Sequence, residues 1–148
     1  MPCSHEADMA IEVREGETLG PLVKHVSQET INLYAEASGD FNPIHIDEAF
    51  AAATPFKGTI AHGMLSLAYV SELMTAAFGE SWLAGGKLRA KFKESARPGD
   101  TLTVGGKVDC LEQRDGVSYA SCSIECRNQE GEVIVAGEAA VKLPGSSK

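Results

Sequence analysis

Residues 62–78, HGMLSLAYVSELMTAAF, constrain the fold more than any other stretch of the chain. The run has the length of a helix, it closes at Gly79, and only Ser66, Ser71, Glu72 and Thr75 interrupt its apolar character. A helix that is apolar nearly all round must be covered on most sides. At about 1.5 Å per residue it extends roughly 25 Å, the width of a small domain. The rest of the chain has to supply the cover.

The back half supplies strands. GKLRAKFKE (86–94) alternates strictly. DTLTVGGKVDCLEQR (100–114) meets VSYASCSIECR (117–127) across Asp115-Gly116, a two-residue hairpin signal. Asn128 to Gly131 then turns into EVIVAGEAAVKL (132–143). Gly105, Gly106 and Gly137 suit the bend points of a long curved sheet. An early strand is expected within 10–25. The front half reads helical. SQETINLYAEASG (27–39) has Ser27 as N-cap, Gly39 as stop, and Ile31, Tyr34 and Ala35 on one face. DEAFAAA (47–53) is a short helix capped by Asp47, and 54–58 is a loop. The expected architecture is α+β, one antiparallel sheet wrapped around the central helix. A single sheet covers only part of such a helix, so a homodimer is the expected assembly.

The 148 residues suit one domain, with 1–9 and 144–148 expected to be flexible ends. A hydrophobic share of 43% allows a sizeable core, and a net charge of −8 argues against general nucleic-acid binding. The first residues, MPCSHEADMA, lack the apolar run of a signal peptide, and MLSLAYV (64–70) is too short to cross a bilayer. A cytoplasmic protein with no membrane partner is therefore expected. The four cysteines, Cys3, Cys110, Cys122 and Cys126, have no CxxC spacing and are read as buried free thiols. Cys122 and Cys126 should share a strand face.

The stretch GDFNPIH (39–45) sets a carboxylate, Asp40, and an imidazole, His45, on either side of Asn42-Pro43. Pro43 is expected to end any helix and hold the loop in a bend. Five extended residues would separate the two side chains by about 16 Å, and a helix by about 7.5 Å. Only a folded-back loop lets both reach one water. Taken singly, each residue has a plainer reading. Asp40 is a turn residue, His45 a half-buried histidine, Gly63 a helix-start glycine, and Ser71 a helix serine bonding its own backbone. A metal site from Asp40, His45 and His62 is conceivable on residue type, but no metal is expected, and His62 is assigned a structural role.

The segment SGDFNPIHIDEAFAAATPFKGTIAHGMLS (38–66) resembles the signature of the MaoC-like, R-specific enoyl-CoA hydratases, which are hotdog-fold enzymes. RPGDTL (97–102) and GEAAVKL (137–143) fit the family's order, so the resemblance spans roughly residues 20 to 143. It implies that Asp40 and His45 hold the catalytic water and that the Gly63 N–H faces the thioester oxygen. It further implies that Ser71 supports the aspartate and that Asn42, beside the pair, orients the loop. The chemistry agrees. Hydrating a 2-enoyl thioester takes a proton from water as it attacks C3, delivers a proton to C2, and builds charge on the thioester oxygen. A helix N-terminus opened by a glycine suits that charge. Which of Asp40 and His45 is base and which acid stays open.

Lys87, Arg89, Lys91 and Lys93 alternate along one strand and should share a face. They read either as a solvated face or as a dock for CoA phosphates or an acidic acyl carrier protein, with Arg97 extending it. The family pattern has Pro-Val after the Phe of this strand, where this chain has Ser95-Ala96. The resemblance thus implies reversible hydration of trans-2-enoyl-CoA to (R)-3-hydroxyacyl-CoA without a cofactor. The alternatives are 3-hydroxyacyl-carrier-protein dehydration, a hotdog thioesterase, and a non-catalytic subunit. Met64, Leu67, Leu73 and Phe78 are read as acyl pocket or core.

Overall fold

The computed structural model describes residues 13–144. Cys3, the start expected to be flexible (1–9) and the tail 145–148 lie outside the described residues. Five strands form one antiparallel sheet: β1 (Thr18–His25), β2 (Lys87–Phe92), β3 (Thr101–Arg114), β4 (Val117–Arg127) and β5 (Val133–Lys142), in the order β1-β3-β4-β5-β2. The helices are α1 (Gln28–Ser38), α2 (Pro43–Ile46), α3 (Glu48–Ala52), α4 (Gly63–Phe78) and α5 (Glu80–Gly85).

The central helix, α4, lies against β1, β3, β4 and β5. Its Leu65, Val70, Leu73, Met74 and Phe78 are buried against Leu102, Val104 and Val108 of β3, Cys122, Ile124 and Cys126 of β4, and Val135, Ala139 and Val141 of β5. Each such Leu, Met or Phe side chain stabilises the fold by about 1.5–3 kcal/mol through lost apolar exposure. Among the described residues, the sheet covers one side of α4. Met64, Ala68, Glu72 and Ala76, spaced four apart, remain exposed on the other.

Local sequence explains the sheet's shape. Arg114 pairs with Val117 across Asp115 and Gly116, whose φ angles of 55° and 79° are those of a tight primed turn. A Cβ on Gly137 would run into the Arg89 carbonyl, so only glycine lets β2 lie this close to β5 there. Cys122 and Cys126 do share the inner face of β4 and are buried free thiols, while Cys110 is only partly buried. Burial pushes both thiols up to about 11, with Asp109 adding to the effect at Cys122.

One reading of the sequence needs correction. Pro43 does not end a helix: α1 has already stopped at Gly39, and Pro43 opens the single turn α2, where its missing N–H has no partner to lose. Leu88, Ala90 and Phe92 keep the expected alternation, Phe92 lying over Gly63 although 53% exposed, and Lys93 lies past the end of β2. The short helix α5 carried no signal in the sequence reading. It tucks Trp82 against α4, where the indole Nε1–H donates to Ser71 Oγ at 2.9 Å.

Candidate active site

A chain of short-range capping bonds builds the loop that follows α1. The Asp40 N–H donates to Ser38 Oγ at 3.2 Å. Asp40 Oδ1 accepts the Asn42 N–H at 3.2 Å, and Asn42 Oδ1 accepts the Ile44 N–H at 3.1 Å as the N-cap of α2. Asn42 therefore shapes the bend, and its carbonyl oxygen is committed to the cap. One turn of α2 then points His45 inward, where it is 8% exposed. Gln28 of α1 clamps this turn from outside, donating to the His45 carbonyl at 2.8 Å and accepting from the Thr59 hydroxyl at 2.7 Å.

The extended stretch 59–62 forms the opposite wall. The Ile60 N–H donates to the Ile44 carbonyl at 3.1 Å, and the Ala61 N–H to the Ala96 carbonyl at 2.7 Å. His45 Nδ1 lies 2.9 Å from the Ile60 carbonyl. A carbonyl can only accept, so Nδ1 carries the proton and Nε2 presents a lone pair when the ring is neutral. His62 Nε2 in turn donates to the Asp40 carbonyl at 3.0 Å. The His45 and His62 rings stack, with centroids 3.8 Å apart and planes at 23°, and Tyr34 meets His62 edge-on at 4.9 Å.

The folded-back loop thus exists. A carboxylate oxygen of Asp40 and ring nitrogens of His45 and His62 lie within 4.8 Å of one another. A water donating one hydrogen to each of two acceptors at about 2.8 Å holds them about 4.5 Å apart, inside the 4.8 Å that bounds this group. The same three residues have the donor types of a metal site. However, the two imidazoles lie in nearly parallel planes, so their in-plane lone pairs do not converge on one point.

Beside the pair, α4 begins at Gly63. Leu65 is the first residue of the helix whose N–H reaches a carbonyl of the turn, that of His62 at 3.0 Å, so the Gly63 N–H precedes the helical ladder. A cleft of about 330 Å³ opens here, lined by His45, Gly63, Ser66, Phe56, Ile60 and Phe92 among others. The Phe92 ring lies over Gly63: a Cβ there would sit 3.2 Å from two of its carbons. Buried Ser66, one turn on from Gly63, was not singled out as a site residue. Helical i, i+3 spacing from Gly63 is the signal that finds it.

The other candidates fall elsewhere. Ser71 lies eight residues beyond Gly63, about 12 Å along the helix axis, and its hydroxyl accepts from Trp82. Lys87, Arg89 and Lys91 are exposed along edge strand β2, and Arg89 pairs across the strands with Glu138. Lys93 leaves that row and reaches the rim of the cleft beside Glu94. Arg97 is half-buried in the turn closed by its N–H bond to Asp100 Oδ2 at 2.9 Å, near Gly58, rather than in the row. Leu73 and Phe78 belong to the core and Met64 to the surface, so the cleft walls come from Phe56, Ile60, Phe92 and Ile134 instead.

Comparison with known proteins settles the family. The description "MaoC like domain" matches residues 11–122. The chain belongs to the MaoC-like family. An (R)-specific enoyl-CoA hydratase from Rhodospirillum rubrum is 33% identical over 135 residues, 90% of each chain. A 3-hydroxybutyryl-CoA dehydratase from Methylorubrum extorquens is 36% identical over 129 residues, covering 83% of this chain and 76% of that one. The solved (R)-hydratase from A. caviae involved in PHA biosynthesis superposes with a TM-score of 0.76 at 32% identity, over 90% of this chain and 98% of that one. The MaoC-like chain therefore has the hotdog fold, and its named relatives are hydro-lyases.

Proposed function

We propose that this MaoC-like protein catalyses the reversible, R-specific hydration of trans-2-enoyl-CoA to (R)-3-hydroxyacyl-CoA. The observation that carries the reading is the meeting of the Asp40 carboxylate and the His45 ring within 4.8 Å beside the opening of α4. The water rests between His45 Nε2 and the Asp40 carboxylate and attacks C3. The pair takes one proton from it and returns one to C2, so the hydroxyl and the hydrogen add across the double bond and the enzyme ends as it began. Charge that builds on the thioester oxygen meets the Gly63 N–H, at the positive end of a sixteen-residue helix. One such donor is worth about 10²–10³ in rate.

The assembly belongs to the same reading. The exposed face of α4, the exposed Phe41 and Phe56 on loops, and Phe50 on α3 leave apolar surface that a second copy covers. The acyl-CoA thioester is the substrate, with no further cofactor. The exposed row on β2 suits an anionic carrier, whether CoA phosphates or an acyl carrier protein.

The test is an absorbance assay with crotonyl-CoA. Loss of the enoyl-thioester band without release of free thiol supports hydration. Release of thiol points to a thioesterase and overturns the reading. Repeating the assay with a crotonyl-carrier-protein substrate ranks the two carriers.

A further inference from the structure

His62 has two contacts that converge on the proposed catalytic pair, although it touches no reacting atom in the mechanism above. It is 2% exposed, its Nε2–H holds the Asp40 carbonyl, and its ring stacks on His45. Its buried Nδ1 meets no hydrogen-bond partner among the described residues. The other polar contacts of the Asp40 loop are local: Asp40 N–H to Ser38, and Asn42 N–H to the Asp40 carboxylate. The bond from His62 spans 22 residues and ties this exposed loop to the start of α4. The same short stretch fixes His45 through the Ile60 carbonyl.

We propose that His62 is a positioning residue. Its Nε2–H sets the Asp40 loop, and its ring sets the plane of His45, so that both face one water. The proposal rests on the hydratase reading for its rate effect but not for its effect on the loop. The position adjoins Gly63, so the residue that sets the pair also sets the first turn of α4, and the water site and the oxyanion site share one anchor.

Two variants separate the tether from the ring. His62→Phe keeps a planar ring for the stack with His45 and the edge contact with Tyr34, but removes the N–H and the unpaired Nδ1. His62→Gln keeps an N–H that reaches the Asp40 carbonyl. Displacing a catalytic group by about 1 Å can cost about a hundredfold in rate. The expected result for His62→Phe is a kcat lowered by about tenfold to a hundredfold, with KM within threefold and melting temperature close to wild type. Amide hydrogen exchange at residues 40–42 should quicken in this variant while α4 stays protected. His62→Gln should recover the slow exchange and part of the kcat, the remaining loss being that of the ring that sets His45. Failure of wild type to hydrate crotonyl-CoA removes the hydratase reading, and the exchange comparison then decides the tether alone. Unchanged exchange at 40–42 in His62→Phe overturns the proposal. So does a parallel loss of activity and melting temperature in both variants, or a His62→Phe chain that does not fold, since either marks an ordinary packing role.

Discussion

Replacing Asp40 by Asn removes one charge and little else. The Asn Oδ1 can still accept the Asn42 N–H that Asp40 Oδ1 accepts at 3.2 Å, so the bend survives. Asp40 is exposed, and surface changes of this kind alter stability by about 0.5 kcal/mol or less. What disappears is the second carboxylate oxygen, which becomes a donor and can no longer accept from the water. Loss of that role should lower kcat by about 10² or more, a barrier increase near 2.7 kcal/mol. His45 calls for a more careful choice. His45→Ala would strand the buried Ile60 carbonyl, at about 1–3 kcal/mol, and confuse folding with chemistry. His45→Asn supplies an amide N–H where Nδ1 was and lacks Nε2. It should lower kcat as much as Asp40→Asn. The double variant should be scarcely slower than either single one, because the pair acts on one water. Initial rates with crotonyl-CoA, followed by absorbance and paired with thermal melts, give all three values. Both single variants staying within a few-fold of wild type, with intact folds, would refute the mechanism.

Substituting Lys91 and Lys93 with Gln should raise KM for crotonyl-CoA with little change in kcat, and should flatten the rise of KM with salt that wild type shows; crotonyl-pantetheine should be insensitive to both. Sedimentation at micromolar concentration should give a mass near twice 15.6 kDa, and a clean, active monomer would defeat the proposed assembly. Cys122 and Cys126 are raised from 9.0 to about 11 by burial, so the folded state keeps protons that the unfolded state releases. Their contribution to stability is full below pH 9 and lost as pH rises toward 11. Melting temperature should fall across that window, and the fall should be shallower in a Cys122→Ala, Cys126→Ala variant.

The elements with strong local signals were legible in the sequence. Ser27, Asp47, Gly39 and Asp115-Gly116 each satisfy or free backbone groups on their own, and the structure puts caps and turns where they stand. The apolar run from Gly63 to Phe78 foretold a helix packed on the sheet, and one face of it is buried there while Met64, Ala68 and Ala76 stay exposed. Asp40, His45 and Gly63 were legible as a group because the resemblance supplied a spacing that single residues lack. Pro43 was misread because proline is compatible with the first turn of a helix as well as with the end of one. The cleft walls were missed for a different reason. Phe56 and Ile60, Phe92, and Ile134 come from three separate segments, and only tertiary packing brings them together. The pairing of His62 with both Asp40 and His45 has the same character: its hydrogen bond crosses 22 residues, and its stack depends on the angle at which two walls meet.

The central claim is that this site adds water across the double bond of an enoyl thioester with one handedness. Chiral analysis of the product formed from crotonyl-CoA tests it most directly. The account predicts (R)-3-hydroxybutyryl-CoA with its thioester intact, and the same enzyme should regenerate crotonyl-CoA from that product. Formation of the (S) product, or release of CoA with the double bond untouched, would contradict it.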